Sequence, residues 1–475
     1  MKINKIIAGI FSICIMIVGE NFLFSFTSYS IDKNDLENIT LPDIDWDSIL
    51  EQSYEFTLKN DGTYEISKYI YEVPSEGFQS SDDITLPSSY KGKPVTSIGY
   101  KAFCTNNADH ITGNITIPQS ITSIGNYAFW MCDFNSCVIP ESVTSIGIEA
   151  FNDTPWLDIM RKQNPLVIIN NILIDARTVK GDVIIPDGLT AIPDFVFYKN
   201  EDVTGVTIPD SVKIIGNSAF EYCSSLSRVN LPDSLTGIGD FAFAFCENLS
   251  GTFTIPSGVE TIGSHAFRDC RRITEVIIKN GVTEIGNSAF SICLSLENVN
   301  IPNSVKTIGN SAFSETHSLK SIVIPSNVAS IGKYCFQYSY ILDSVTIENS
   351  DCEIYDESST FPTRTTIYGH EISTAQSYAE KYNRKFVTLD QTINLGDLNN
   401  DKIIDSVDAS MVLAAYSMLS TENTPNLNSG QLKAADVNSS GTIDAVDASF
   451  ILSYYSYVST GGTNNFETFL KDFIN

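Results

Sequence analysis

The sequence predicts an α/β repeat protein: a solenoid of about 23 residues per coil with a parallel sheet along one side, followed by a small all-α module. Two observations carry this. The phrase Ile-Gly-x-x-Ala-Phe recurs with its isoleucine at 98, 124, 146, 215, 238, 262, 285 and 308, and in looser copies at 192 and 331. Near the C-terminus, a twelve-residue oxygen-rich segment occurs twice, each time followed by matching helical text, DASMVLAAYS and DASFILSYYS. Self-similarity at a fixed period marks stacked units that bury a core only against their neighbours.

The chain starts with two lysines, an apolar run from Ile6 to Val18 and the small-residue stretch SFTSYS. That is the layout of a secretory signal over residues 1–30, with Ser28 and Ser30 before the cut. Glu20 and Asn21 interrupt the run, which argues against an uncleaved anchor, so the mature chain is expected outside the cell, a monomer free of the membrane. A formal charge of −28 provides no basic surface for nucleic acid or anionic lipid and excludes both as partners.

Within one unit, Leu226 to Leu249, the apolar residues follow neither a 2.0 nor a 3.6 period, so no single strand or helix can bury them. The spacing predicts a short strand at Val229-Asn230-Leu231, ended by Pro232, then a helical turn carrying Ala242 and Phe243. The residue after Ile-Gly reads as its cap: Asn126, Asn217, Asp240, Ser264, Asn287 or Asn310. Tyr100, Ile148 and Lys333 cannot cap, so looser turns are expected there. The strand residues expected to face outward are Thr116, Val138, Ile184, Thr207, Asn230, Thr254, Ile277, Asn300, Val323 and Thr346, a small uncharged surface.

The isoleucine step from 146 to 192 is twice the period and holds an insert at 152–181. It reads as a helix capped by Thr154 with Pro155 at its first turn, then a hairpin turning at Asn170-Asn171. Cys132, Cys223, Cys246, Cys270 and Cys293 each lie three residues after the repeat's Phe, with Thr316 and Ser339 in the same place later, which predicts buried free thiols rather than bridges. No Cys-x-x-Cys pair supports a zinc site.

This pattern resembles the BspA-like leucine-rich repeats over residues 81–365. The flanks look similar too: a cap over 31–80 containing YEFTLKNDGTYEISKY, and a closing helix and strand over 366–390 in IYGHEISTAQSYAEKYNRKFVTL. The resemblance implies a secreted or surface protein that binds a protein, cell-surface or polysaccharide ligand.

Catalytic motifs are lacking: the histidines at 110, 265, 317 and 370 form no His-Glu-x-x-His, and no Gly-x-Ser-x-Gly turn or phosphate loop is found. Trp156, Asp158 and Arg161 on the insert are the only candidates for a site, and a packed, capped helix accounts for them better.

The duplicated segments are DLNNDKIIDSVD and DVNSSGTIDAVD. The first places Asp397, Asn399, Asp401, Asp405 and Asp408 at positions 1, 3, 5, 9 and 12, with the Ile403 carbonyl at position 7. The second places Asp436, Asn438, Ser440, Asp444 and Asp447 likewise, with Thr442 at 7 and Gly441 at 6. Alternate oxygens in a twelve-residue loop suit calcium. Lys402 stands where the second copy has Gly441, which predicts backbone strain. Nine acids against two lysines between 390 and 460 should drive the metal-free module apart, so calcium contributes to its folding.

The paired loops, each followed by a helix, resemble a type I dockerin over residues 394–458, within a module spanning 391–459. The resemblance implies that each set of oxygens holds one of two calcium ions. It further implies that a cohesin module of a cellulosomal scaffold reads Ser406 and Val407, or Ala445 and Val446. Because the halves are near copies, binding in two orientations is a hypothesis. The tail 460–475 places Phe466, Phe469, Leu470 and Phe473 on one helical face, to pack back on this module or to serve as a separate docking peptide. The whole reads as a noncatalytic cellulosome component; a polysaccharide-degrading subunit and a protein-binding inhibitor or receptor remain the alternatives.

Overall fold

The computed structural model describes residues 14–18, 21–25, 45–70, 83–104, 111–389, 394–421, 423, 425–427 and 429–474. Most of the expected signal, including Ser28 and Ser30, lies outside the described residues, as do residues 71–80 of the expected cap and His110. Within the signal stretch, Cys14–Val18 and Asn21–Ser25 pair as antiparallel strands. No helix among the described residues is long and apolar enough to cross a membrane. Met1–Tyr54 and Glu55–Asn475 form two compact units. The first contains helix α1 (Trp46–Ser53), capped by Asp45, whose carboxylate accepts from Ser48 N at 3.1 Å.

In the second unit, each coil contributes two short strands rather than one. The strand expected around Val229 is present at Arg228–Asn230, and its column divides into parallel groups of three or four strands. The Ile-Gly positions, expected only to lead into a helical turn, are themselves strands. From Ala191–Ile192 to Glu353–Ile354 they build one eight-stranded parallel ladder, with isoleucine paired to isoleucine from coil to coil. A side chain on the intervening glycine is excluded by this approach: a Cβ at Gly263 would collide with the backbone of Gly239.

The expected helical turn is also absent. After Ile-Gly the chain alternates into the left-handed region, at Phe241 (φ 57°) and Phe245 (φ 60°) in one coil. This alternation aims the N–H groups along the stack: Phe241, Phe243 and Phe245 donate to the carbonyls of Ser264, Ala266 and Arg268 in the next coil at 2.7–2.9 Å. The expected caps therefore cap nothing. Asn217 Oδ1 accepts from Asp240 N (2.8 Å), Asp240 Oδ1 from Ser264 N (2.7 Å) and Asn310 Oδ1 from Lys333 N (2.7 Å), so these side chains tie coil to coil. At Tyr100 and Ile148 the local turn is as closed as elsewhere, with Ala102 N and Ala150 N each 3.3 Å from the glycine carbonyl. What those two positions lack is a side-chain oxygen that reaches the next coil, not a tight turn, and their backbone bonds along the stack remain, as from Lys101 N to Asn126 O and Tyr127 N to Ile148 O.

The core is a row of repeat phenylalanines, Phe197 through Phe361, stacked at 4.7–5.7 Å. A shorter row, Phe103-Phe129-Phe151, precedes the insert. The cysteines beside them are free, and those after the repeat's Phe are buried. Each thiol donates to the phenylalanine carbonyl of the preceding coil, as Cys246 does to Phe220 at 3.1 Å and Cys270 to Phe243 at 3.1 Å. Ser339 makes the same bond to Phe313 (3.0 Å), which explains why a hydroxyl can replace the thiol. The stack closes with helix α3 (Thr374–Lys381), after helix α2 (Pro155–Gln163) of the insert, and with the strand Phe386–Thr388.

Burial pushes these thiols up, Cys223 to about 12 from 9.0. A proton held more tightly in the folded state contributes stability below the unfolded pKa that is lost as pH rises through the folded one. Resistance to urea is therefore expected to hold up to about pH 9 and fall above it. Replacing Cys223, Cys246, Cys270 and Cys293 by serine should flatten that fall, as urea midpoints across pH 7–11 will show.

Candidate functional site

The insert's candidate residues are engaged in packing. Thr154 caps α2 by accepting from Leu157 N at 3.1 Å, and Trp156 is buried with its ring 4.6 Å from Phe151, so it ends the first phenylalanine row. Arg161 donates twice to the fully buried Asp175 (2.9 and 2.8 Å) and once to Asp158 (2.9 Å). Arg177 adds a 2.6 Å bond to Asp175 and another to Asn152 (2.7 Å). These charges are mutually satisfied and clasp the hairpin, which turns at Asn170 and Asn171, both at positive φ. The groove beside it, lined by Asn126, Ile148, Glu149, Pro193 and Asp194, holds about 240 Å³, below the roughly 300–1,000 Å³ of ligand clefts.

The two oxygen loops repeat one hydrogen-bond plan. Position 1 gathers the N–H groups of positions 5 and 6: Asp397 accepts from Asp401 and Lys402 (both 3.1 Å), and Asp436 from Ser440 (2.9 Å) and Gly441 (2.8 Å). Asn399 and Asn438 each accept from position 5 at 2.9 Å. Asp401 accepts from Ile403 N (2.8 Å), and Ser440 does the same more loosely from Thr442 N (3.2 Å).

Position 12 joins the loop's ends. Asp408, fully buried, takes Leu398 N and Asn399 N on one oxygen (2.7 and 3.2 Å) and Asp405 N on the other (3.0 Å). Asp447 does so with Asn438 (3.4 Å) and Asp444 (2.9 Å). The same carboxylates are the third residues of helices α4 (Ser406–Leu419) and α6 (Ala445–Ser459), where they complete capping boxes with Asp405 and Asp444. Burial raises both Asp408 and Asp447 above the ordinary carboxylate range despite these donors, and Asp397 and Asp436 push the same way. A nearby cation would reverse that.

Among the described residues no three His, Cys, Asp or Glu side chains form a ready metal cluster. The loops offer instead a mixed set of carboxylate, amide, hydroxyl and carbonyl oxygens, which fits a hard cation such as calcium. Positions 4 and 6 are left-handed in both loops: Asn400 (φ 57°) and Lys402 (φ 72°), Ser439 (φ 55°) and Gly441 (φ 83°). The strain expected at Lys402 is therefore built into the backbone.

Behind the loops, Val412 and Ala409 of α4 meet Ala448 and Ile451 of α6 in a core with Leu398 and Val437. Residues 71–173, 169–257 and 250–365 match the BspA type leucine rich repeat region, and residues 395–454 match the dockerin type I domain. The chain belongs to the BspA type leucine rich repeat family and carries a C-terminal type I dockerin. Similar solved structures include a leucine rich cell surface protein from Faecalibacterium prausnitzii A2-165, at 26% identity over 69% of this chain and 95% of that one, TM-score 0.36. A leucine-rich repeat protein from Bacteroides ovatus is 22% identical over 71% and 98%, TM-score 0.33. No curated protein matches the chain.

The dockerin implies a cohesin partner, and the repeats imply protein binding. Ser406, Val407, Ala445 and Val446 are all exposed at the starts of α4 and α6, Val407 by 51% and Val446 by 50%. Sequence reasoning missed that Leu413, Tyr416 and Leu419 share the exposure of their 39-residue counterparts Leu452, Tyr455 and Val458. The duplication held that signal, but only burial separates these residues from the core.

On the solenoid, none of the ten residues expected to face outward from the strands is buried. A second surface, not foreseen, lies along the turns, where Tyr100, Tyr222, Tyr338, Tyr340 and Tyr355 are exposed. Lys101 lies 5.3–5.6 Å from the ring centres of Tyr100, Tyr127 and Trp130.

Gly441→Lys should destabilise the dockerin by about 1 kcal/mol, because it brings into the second loop the strain Lys402 imposes on the first. Lys402→Gly should shift its unfolding the other way by less, since the added chain freedom of glycine offsets part of the relief. Thermal unfolding of both variants checks the pair of signs.

Proposed function

We propose that this is a secreted, noncatalytic component of a cellulosome, held on a scaffold by its dockerin and presenting the solenoid to a ligand. The observation that carries this reading is the duplicated loop-and-helix unit, which leaves the same apolar side chains exposed twice. Asp397, Asn399, Asp401, Asp405, Asp408 and the Ile403 carbonyl would hold one calcium ion; Asp436, Asn438, Ser440, Asp444, Asp447 and the Thr442 carbonyl the other. The ion would supply the positive charge that the buried carboxylates of Asp408 and Asp447 lack, and so fix the loops from which α4 and α6 start. In this reading the metal orders a surface and takes no part in a reaction.

The cohesin-reading surface extends from Ser406, Val407, Ala445 and Val446 along each helix through Leu413, Tyr416 and Leu419, or Leu452, Tyr455 and Val458. It holds no charged residue, so its complex should be only weakly sensitive to salt. The solenoid's ligand surface is assigned to the exposed tyrosines of the turns, where the rings offer contact area at low entropic cost.

The test is an array of cohesins probed with the full chain, with and without a calcium chelator. Binding to at least one cohesin that chelator abolishes is the expected outcome; binding indifferent to chelator would overturn the assignment. If both halves can dock, Val407→Asp should keep most of the affinity while Val407→Asp with Val446→Asp loses it; complete loss in the single variant would leave one orientation only.

A further inference from the structure

We infer that Phe466 of the tail is a positioning residue for the first oxygen loop. The inference rests on the reading that both loops hold calcium. The loops differ in how the chain reaches them. The second is entered directly from helix α5 (Ser429–Ala435), which ends one residue before Asp436 and fixes its backbone. The first is entered from Asn394–Gly396, which is not helical.

The tail makes up the difference. Helix α7 (Phe466–Ile474) is capped by Asn465, whose side chain accepts from Thr468 N at 2.9 Å, and it buries Phe466, Phe469 and Leu470 in the dockerin core. Tyr457 anchors the connection, accepting from Thr463 N and Asn464 N (both 3.3 Å). The Phe466 ring, 4.9 Å from Tyr454, lies against Gly396, where a Cβ would run into the ring. Gly396 is left-handed (φ 81°), donates to Ala434 O (3.0 Å) and precedes Asp397, the residue that gathers the loop's N–H groups. Phe466 thus backs the residue that leads into the first loop, beside the bond from Gly396 to Ala434 of α5, whereas the second loop continues directly from α5 itself. The loop it supports is also the one strained at Lys402.

The half-repeat shows that this support is one-sided. Tyr454 and Tyr457, which seat the tail, correspond to Ala415 and Met418 on α4, and Met418 is exposed. Phe469 is equally buried but packs on Tyr454 and Tyr457 (5.4 and 5.2 Å), so it serves as the control.

Calcium affinity is measured by chelator competition on the full chain with one loop silenced, Asp436→Ala to read the first loop and Asp397→Ala to read the second. Phe466→Ala is expected to weaken the first loop roughly tenfold, the usual cost of losing a supporting contact behind a metal ligand, and the second much less. Phe466→Leu, which keeps an apolar filling, should show the same bias while unfolding at a higher temperature than Phe466→Ala. Phe469→Ala should lower the unfolding temperature without favouring either loop. Equal losses in both loops, or none, with Phe466→Ala would overturn the role of Phe466 while leaving the calcium reading intact. No calcium binding by the unmodified chain would overturn both.

Discussion

The solenoid depends on one constraint: backbone groups in each coil's turn find their partners in the next coil, at the same repeat position. No helix or hairpin within a coil could satisfy them, because the left-handed residues aim their N–H groups along the stack. From this follow the glycine after nearly every repeat isoleucine, Ile192 with Pro193 excepted, which lets neighbouring backbones approach, and oxygen-bearing residues such as Asn217 and Asp240 after it, which reach the next coil. The thiols beside the phenylalanine row and the Ser339 hydroxyl obey the same rule, satisfying a carbonyl of the coil before, while Thr316 donates to Phe313 of its own coil. A buried polar group without such a partner costs about 1–3 kcal/mol, so the turn positions stay in register from coil to coil even where a step gains or loses a residue.

Where the period fails, the structure compensates. The insert replaces a coil, and Trp156 takes the place that the next phenylalanine would occupy against Phe151. Asp175, wholly buried, is tolerable only because Arg161 and Arg177 both reach it. Trp156, Asp158 and Arg161, which the sequence already accounted for better by packing than by a site, belong to the means by which a broken stack is rejoined.

The C-terminal module meets a related problem with charge instead of backbone. Two carboxylates are buried to hold loop ends and helix starts together, and burial works against their ionisation. The duplicated text made the loops and their donor positions legible, since ligand spacing is a local property of twelve residues. The partners of those oxygens, the matched exposure of Leu413 and Leu452, and the seating of Phe466 on Gly396 were not legible. The last two link residues 39 and 70 positions apart, and no local pattern records which side of a helix a later segment will cover.

By itself the sequence determined the repeat period, the core phenylalanines, the free cysteines' common position and the chemistry of the loop donors, because each is written in spacing within one unit. It misread the Asn and Asp residues as caps, since capping and bridging need the same side-chain oxygen. Only the tertiary structure decided between them, by placing the next coil's N–H group nearer than the chain's own. The same holds for the aromatic edge and the tail: one unit's residues acquire their roles from a neighbour that lies beside them in space and far along the chain.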